Sequence, residues 1–113
     1  MSHRIEQVNE LIKQHLGALI LTELEFPKNT LATIIAVEVS KDLRHAKVWV
    51  SVMPTMYTGK VLEKLKKNSG HLQYLLHQKL SMKPLPKIRF VIDETEKKAS
   101  EIEALLDRIK ESG

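Results

Sequence analysis

Ile5, Val8, Leu11, Ile12, Leu16, Leu19 and Ile20 recur at intervals of three and four, the period of one helical face. They predict a first helix from about Ser2 to about Leu24, with Ser2 as a candidate cap, broken by Phe26, Pro27, Lys28 and Asn29. The pattern then changes period. Thr30 to Ser40 is rich in β-branched residues and alternates, with Ile35, Val37 and Val39 assigned to one face and Ile34, Ala36 and Glu38 to the other. After a polar turn from Ser40 to His45, Ala46, Val48, Val50 and Val52 alternate with Lys47, Trp49 and Ser51, so the two strands should form an antiparallel hairpin stopped by Pro54.

Helical spacing returns with Val61, Leu62 and Leu65, and again with Leu72, Leu75, Leu76 and Leu80, predicting helices over roughly 57–68 and 70–81. Between them stand Asn68, Ser69 and Gly70. Asn and Gly readily take the left-handed conformation that closes a helix, and Ser69 is a candidate cap for the next one, so a kink is expected. Leu62, Leu65, Ser69, Leu72 and Leu76 nevertheless stay in phase across the join. One continuous helix carrying a Gly that costs about 1 kcal/mol against Ala is equally compatible with the spacing. Pro84 and Pro86 lead into a third strand, Ile88, Phe90 and Ile92 alternating with Arg89 and Val91. A last amphipathic helix is expected over 94–111, with Ile102, Leu105, Leu106 and Ile109 on one stripe and Thr95 as a candidate cap.

The order helix, strand, strand, helix, helix, strand predicts a two-layer α+β sandwich, its sheet covered on one face by the first helix and the kinked pair. At 113 residues and 42% hydrophobic content, one domain with a modest core is expected over 1–93, with 94–113 packed on it or extending from it. The absence of cysteine removes disulfides, thiolate metal sites and thiol catalysis. No secretory core or spanning apolar run is present, which leads to the expectation of a soluble, cytoplasmic protein without membrane attachment.

Charge sharpens this outline. Between Pro54 and Ile92, Glu63 is the only acid, against Lys60, Lys64, Lys66, Lys67, Lys79, Lys83, Lys87 and Arg89, whereas 1–53 is balanced and 93–113 is acidic. So one-sided a folded segment attracts polyanions by counterion release, and nucleic acid is the better candidate than a membrane surface. A solvated lysine face kept for solubility would read the same way.

The element order is that of a type II KH domain, a nucleic-acid-binding arrangement, but the GxxG loop that grips backbone in such domains is missing. The wording of the chain resembles the ribosome-binding factor A family, in which a kink usually written AxG replaces that loop. The resemblance is carried by Arg4 with Val8 and Asn9, by VEVSKDLRHAKVWVS from Val37 to Ser51, by NSGHLQYLLHQKL from Asn68 to Leu80, and by LPKIRFVIDET from Leu85 to Thr95. It covers about residues 4–109, with Asn68 standing where the family has Ala. It implies a KH type II-like fold and a non-catalytic, monomeric factor that binds the immature small (30S) ribosomal subunit and its 16S rRNA. Assistance to rRNA end processing and growth in the cold are implied too, with an assembly GTPase as a further candidate partner.

Lys60, Lys64, Lys66, Lys67, Asn68, Ser69, Gly70 and His71 form the first candidate RNA contact, lysines supplying charge and a helix start supplying backbone donors. Arg44, His45 and Lys47 form a second, at the hairpin turn. Lys79, Lys83, Lys87 and Arg89 are assigned diffuse attraction, Arg89 pointing to solvent. Trp49 should face away from Val48 and Val50, either stacking on a base or packing under the last helix. Tyr57 and Tyr74 are assigned to the core. Two alternatives are a free-standing single-strand RNA binder and a small hydrolase using Asp42 and His45, although Asp42 more naturally fixes the turn. The scattered His3, His15, His71 and His77 lack a metal-ligand spacing, so neither metal nor cofactor is expected.

Overall fold

The computed structural model describes residues 3–93, so the expected caps at Ser2 and Thr95 and the predicted last helix lie outside the described residues. Helix α1 (His3–Glu23) is followed by strands β1 (Leu31–Val39) and β2 (His45–Met53), helices α2 (Thr58–Lys67) and α3 (Ser69–Lys79), and strand β3 (Lys87–Ile92). The sheet runs in the order β1-β2-β3, with β1 antiparallel and β3 parallel to β2. This is a mixed α+β fold of the KH-like type.

Its core lies between the sheet and the three helices. Val8, Ile12, Leu16, Leu19 and Ile20 of α1, Val61 and Leu65 of α2, and Leu72 and Leu76 of α3 are all buried against Val48, Val50, Ile88 and Phe90. Leu65, Leu72 and Leu76 are 0% exposed, burial that contributes about 1.5–3 kcal/mol per side chain. Leu11, placed by spacing on the buried face of α1, is instead 42% exposed. It sits at the margin of a stripe already filled by Val8, Ile12 and Leu16.

The first strand departs from strict alternation. Pairing with β2 runs in step from Leu31 to Ile34 opposite Val50, then resumes at Ala36 opposite Trp49, leaving Ile35 as the extra residue of a β-bulge. Because one inserted residue reverses facing, Ile34 rather than Ile35 joins Val37 and Val39 in the core, and Ile35 is 44% exposed. Asn9 of α1 fixes this strand in place, its Oδ1 accepting the Val39 N–H at 2.9 Å.

The two central helices are separated by one residue. Asn68 has φ −99° and ψ 8°, and no described glycine has positive φ, so the expected left-handed closure at Asn68 or Gly70 does not occur. The break is made on the right-handed side, where ψ departs by about 50° from the helical value. The Asn68 side chain stabilises it by donating Nδ2 to the Lys64 carbonyl at 2.8 Å, while the helical ladder continues through it, from Asn68 N to Lys64 O at 3.1 Å and from Leu72 N to Asn68 O at 2.9 Å. Ser69 is therefore the first residue of α3 and makes no side-chain capping bond. After the break α2 lies against β2 and β3, and α3 against α1 and β3.

Candidate nucleic-acid interface

Geometry divides the expected lysine cluster in two. Residues two apart on a helix lie about 200° apart around its axis, so Lys64 and Lys66 occupy opposite flanks of α2. Lys60, Lys64, Lys67 and Asn68 line one shallow depression together with Glu63. There Lys64 Nζ donates to the Glu25 carbonyl and stands 5.9 Å from the Phe26 ring centroid, which ties it to the loop after α1. Lys60 Nζ lies 5.9 Å from the half-buried Tyr57 ring. His71 falls toward α1, its Nε2 3.8 Å from Glu23 Oε2, a contact that becomes an ion pair when the imidazole is protonated. On this flank Lys60 and Lys64 already have partners, whereas Lys67 is exposed.

The other flank is different in kind. Lys66, Ser69 and Gln73 succeed one another at intervals of three and four along α2 and α3, facing β3 across a groove of about 430 Å³. Lys66 and Ser69 line it from the helices; His45, Lys87 and Arg89 line it from the sheet, with Ile88 and Phe90 as its floor. None of its lining residues is acidic. The strand register explains the convergence. Parallel pairing sets His45 opposite Lys87 and Lys47 opposite Arg89, so the hairpin end and the third strand present their cations side by side. Lys66, Lys87 and Arg89 are all exposed.

Gln73 holds the two walls in register. Its Nε2 donates to the Pro86 carbonyl at 2.9 Å and its Oε1 accepts the Ile88 N–H at 2.8 Å, so one amide closes the outer edge of β3 and fixes that strand to α3. Sequence reasoning missed Gln73, and it assigned Lys87 and Arg89 only diffuse attraction. The signal for the two cations was their alternation with Ile88 and Phe90, which becomes informative once β3 is known to lie beside β2.

The remaining candidates scatter. Arg44 is exposed in the hairpin turn, with its carbonyl accepting the Lys87 N–H at 2.8 Å. Lys47 Nζ stands 5.4 Å from the centroid of Trp49, whose Nε1 donates to Glu38 at 3.0 Å; this half-buried indole is held by its neighbours on the sheet's outer face. Gly70 is exposed, and Lys79 is exposed at the end of α3. Tyr57 packs on the core as expected, but Tyr74 is 60% exposed, because residue 74 falls outside the Leu72–Leu76 stripe; its hydroxyl accepts from Gln78 at 2.8 Å.

Asp42 serves the turn. Its Oδ1 accepts the Ser40 hydroxyl at 2.5 Å and the Arg44 N–H at 3.1 Å, and these bonds, the hydroxyl first, hold its carboxyl below the usual carboxylate value. The bonded oxygen is thus committed to Ser40 and Arg44, the turn-fixing role expected of Asp42. Among the described residues no group of three or more His, Cys, Asp or Glu could hold a metal, and no helix is long and apolar enough to cross a membrane.

Comparison with known proteins bears on the fold and the family. The chain is 36% identical over 109 residues to ribosome-binding factor A of Akkermansia muciniphila, covering 96% of this chain and 86% of that one. The crystal structure of ribosome-binding factor A from Thermus thermophilus superposes with a TM-score of 0.69 at 26% identity, over 78% of this chain and 94% of that one. A homology model of the same organism's ribosome-binding factor A, fitted into the cryo-electron microscopy map of its 30S complex, superposes with a TM-score of 0.64 at 26% identity, over 83% and 96% of the two chains. The sequence profile of the family matches residues 4–106, nearly the whole length, and this chain belongs to the ribosome-binding factor A family.

Proposed function

We propose that this protein binds the immature small ribosomal subunit through its 16S rRNA and assists late maturation, including end processing and growth in the cold. It acts as a monomer, without catalysis or cofactor, and an assembly GTPase is a further partner. The observation that carries the reading is the acid-free groove beside the Asn68 break, where Lys66, Lys87 and Arg89 converge from a helix and a strand that are far apart in sequence. The relative fitted into a 30S complex supports the choice of partner. Cations on a rigid frame favour folded polyanion whose phosphates match their spacing, and a factor that binds one rRNA conformation better than another shifts the population toward it.

Sedimentation of cell extract tests this. Comigration of the protein with immature small subunits, and their accumulation with unprocessed rRNA ends in cells lacking it at low temperature, are the expected results. Recovery only with free messenger RNA would favour the single-strand binder instead.

A further inference from the structure

The flank that lines the groove does not stop at Gln73. The next residue in the same row is His77, and it opens onto a second and larger cavity, of about 710 Å³, at the far end of α3. Four separate parts of the chain close around it: Arg4 at the start of α1, Asp42 and Leu43 in the hairpin turn, His77 and Leu80 at the end of α3, and Met82 to Pro84 in the following loop. Its volume falls within the span of about 300–1,000 Å³ usual for small-ligand sites.

The chemistry of the lining is mixed. Leu43, Leu80, Met82 and Pro84 offer an apolar surface, while Arg4, Lys83, His77 and Asp42 supply the polar groups. Arg4 and Lys83 against Asp42 leave one net positive charge, the complement of one phosphodiester. Leu43 carries the second observation. It is a non-glycine residue with φ 59°, a left-handed conformation uncommon for a leucine, held by its N–H donating to the Ser40 carbonyl at 2.9 Å within the turn that Asp42 braces. Strained backbone of this sort concentrates at ligand sites.

We infer that this cavity takes one unstacked nucleotide of an RNA strand, the same RNA whose phosphates cross the groove beside Lys66; the inference rests on the reading above. The base lies against the imidazole of His77 and the aliphatic floor, as unpaired bases do on ring and apolar side chains. Arg4 and Lys83 take the phosphate. Asp42 spends Oδ1 on the turn, and its Oδ2, to which no hydrogen bond runs among the described residues, accepts from an exocyclic amino group. Adenine, guanine and cytosine carry such a group, and uracil does not. Uracil's one edge donor, N3–H, is flanked by two carbonyl oxygens that repel the Asp42 carboxylate, so the site selects against uridine. Lys66 on α2 and His77 on α3 are eleven positions apart, a backbone separation of no more than about 16 Å at helical rise, so both sites lie within reach of a short single strand.

Amide resonances of the intact protein titrated with AMP, GMP, CMP, UMP and inorganic phosphate test the inference. Leu43, His77 and Met82 should shift with the three amino-bearing nucleotides, and UMP should bind at least about tenfold more weakly, the lower end of the cost of losing a hydrogen bond to a charged acceptor. Asp42→Asn keeps an acceptor for the turn and adds a donor, so it should abolish the bias against UMP. Displacement of CMP from the same amides by a short cytidine-containing oligoribonucleotide is expected. Mononucleotide binding without displacement would assign the cavity to a free nucleotide and overturn the proposal. So would equal shifts with inorganic phosphate alone, or no shift with any nucleotide. Lys66→Gln with Arg89→Gln separates the two readings: it should weaken subunit binding and leave the CMP response in place. Loss of that response in a variant that retains the wild-type amide spectrum would refute an independent cavity.

Discussion

Removing the groove's charge should flatten the salt dependence of subunit binding, and the split of the lysines between two flanks provides an internal control. The perturbation is the triple substitution Lys66→Gln, Lys87→Gln and Arg89→Gln. All three side chains are exposed and none takes part in a hydrogen bond or ion pair identified among the described residues, so the cost in stability should stay within about 0.5 kcal/mol. Each phosphate neutralised contributes about 0.7 to 0.9 to the slope of log K against log salt, so three lost contacts reduce its magnitude by about 2 to 3. Over the range from about 50 to 200 mM salt that amounts to a difference of about 20- to 40-fold in how steeply affinity falls.

The control is Lys60→Gln, Lys64→Gln and Lys67→Gln, which removes the same formal charge from the opposite flank. Long-range attraction by net charge is reduced equally in both triples, so only direct phosphate contact separates them. The control slope should change by less than about 1, since Lys64 and Lys60 already face the Glu25 carbonyl and the Phe26 and Tyr57 rings. Anisotropy titration of labelled protein with purified immature subunits, over a salt series, measures both. If the slope loss follows the Lys60 set, or if the groove variant retains the wild-type slope, the assignment of the binding face is wrong.

Gln73→Ala leaves the N–H of Ile88, a residue only 3% exposed, without its acceptor, and should lower the unfolding free energy by about 1–3 kcal/mol in urea titration. Gly70→Ala adds a Cβ that meets nothing within 4 Å at a residue without positive φ, so stability should rise by about 0.4–1 kcal/mol. Weaker subunit binding by that more stable variant would assign Gly70 to close approach by RNA. The Asp42 carboxyl is lowered in the folded state, so its contribution is present above the ordinary carboxylate pKa and is lost as pH falls through the depressed folded value. The melting-temperature gap between wild type and Asp42→Ala should accordingly be widest near neutrality and narrow on acidification.

Elements whose apolar period is uninterrupted were legible from sequence. α1 and β2 fall where their spacing puts them, because nothing in 3–23 or 45–53 competes with a single buried face. β1 was found but mis-faced at Ile34 and Ile35, since two adjacent isoleucines satisfy either alternation and only the partner strand determines which residue is inserted. The junction was located and its conformation missed: Asn68 has a side chain able to return to the Lys64 carbonyl, which stabilises a right-handed break as well as a left-handed one would be. The candidate face was half legible. Helical spacing places Lys66 with Ser69, but the nearness of Lys87 and Arg89 depends on which strand β3 joins and in which direction, and that is a long-range choice.

That choice also explains why a break at Asn68 is useful without any loop. Lys66, Ser69, Gln73 and His77 follow one another at intervals of three and four along α2 and α3, so one polar row continues through the break. What the break adds is a second packing partner: α2 rests on the sheet, α3 reaches α1, and both keep contact with β3. The central helices thereby cover the core and border the groove at once. Leu65, Leu72 and Leu76, wholly buried on either side of Asn68, anchor both helices in the core, and the template proposed for Lys66, Lys87 and Arg89 would owe its rigidity to that hydrophobic packing.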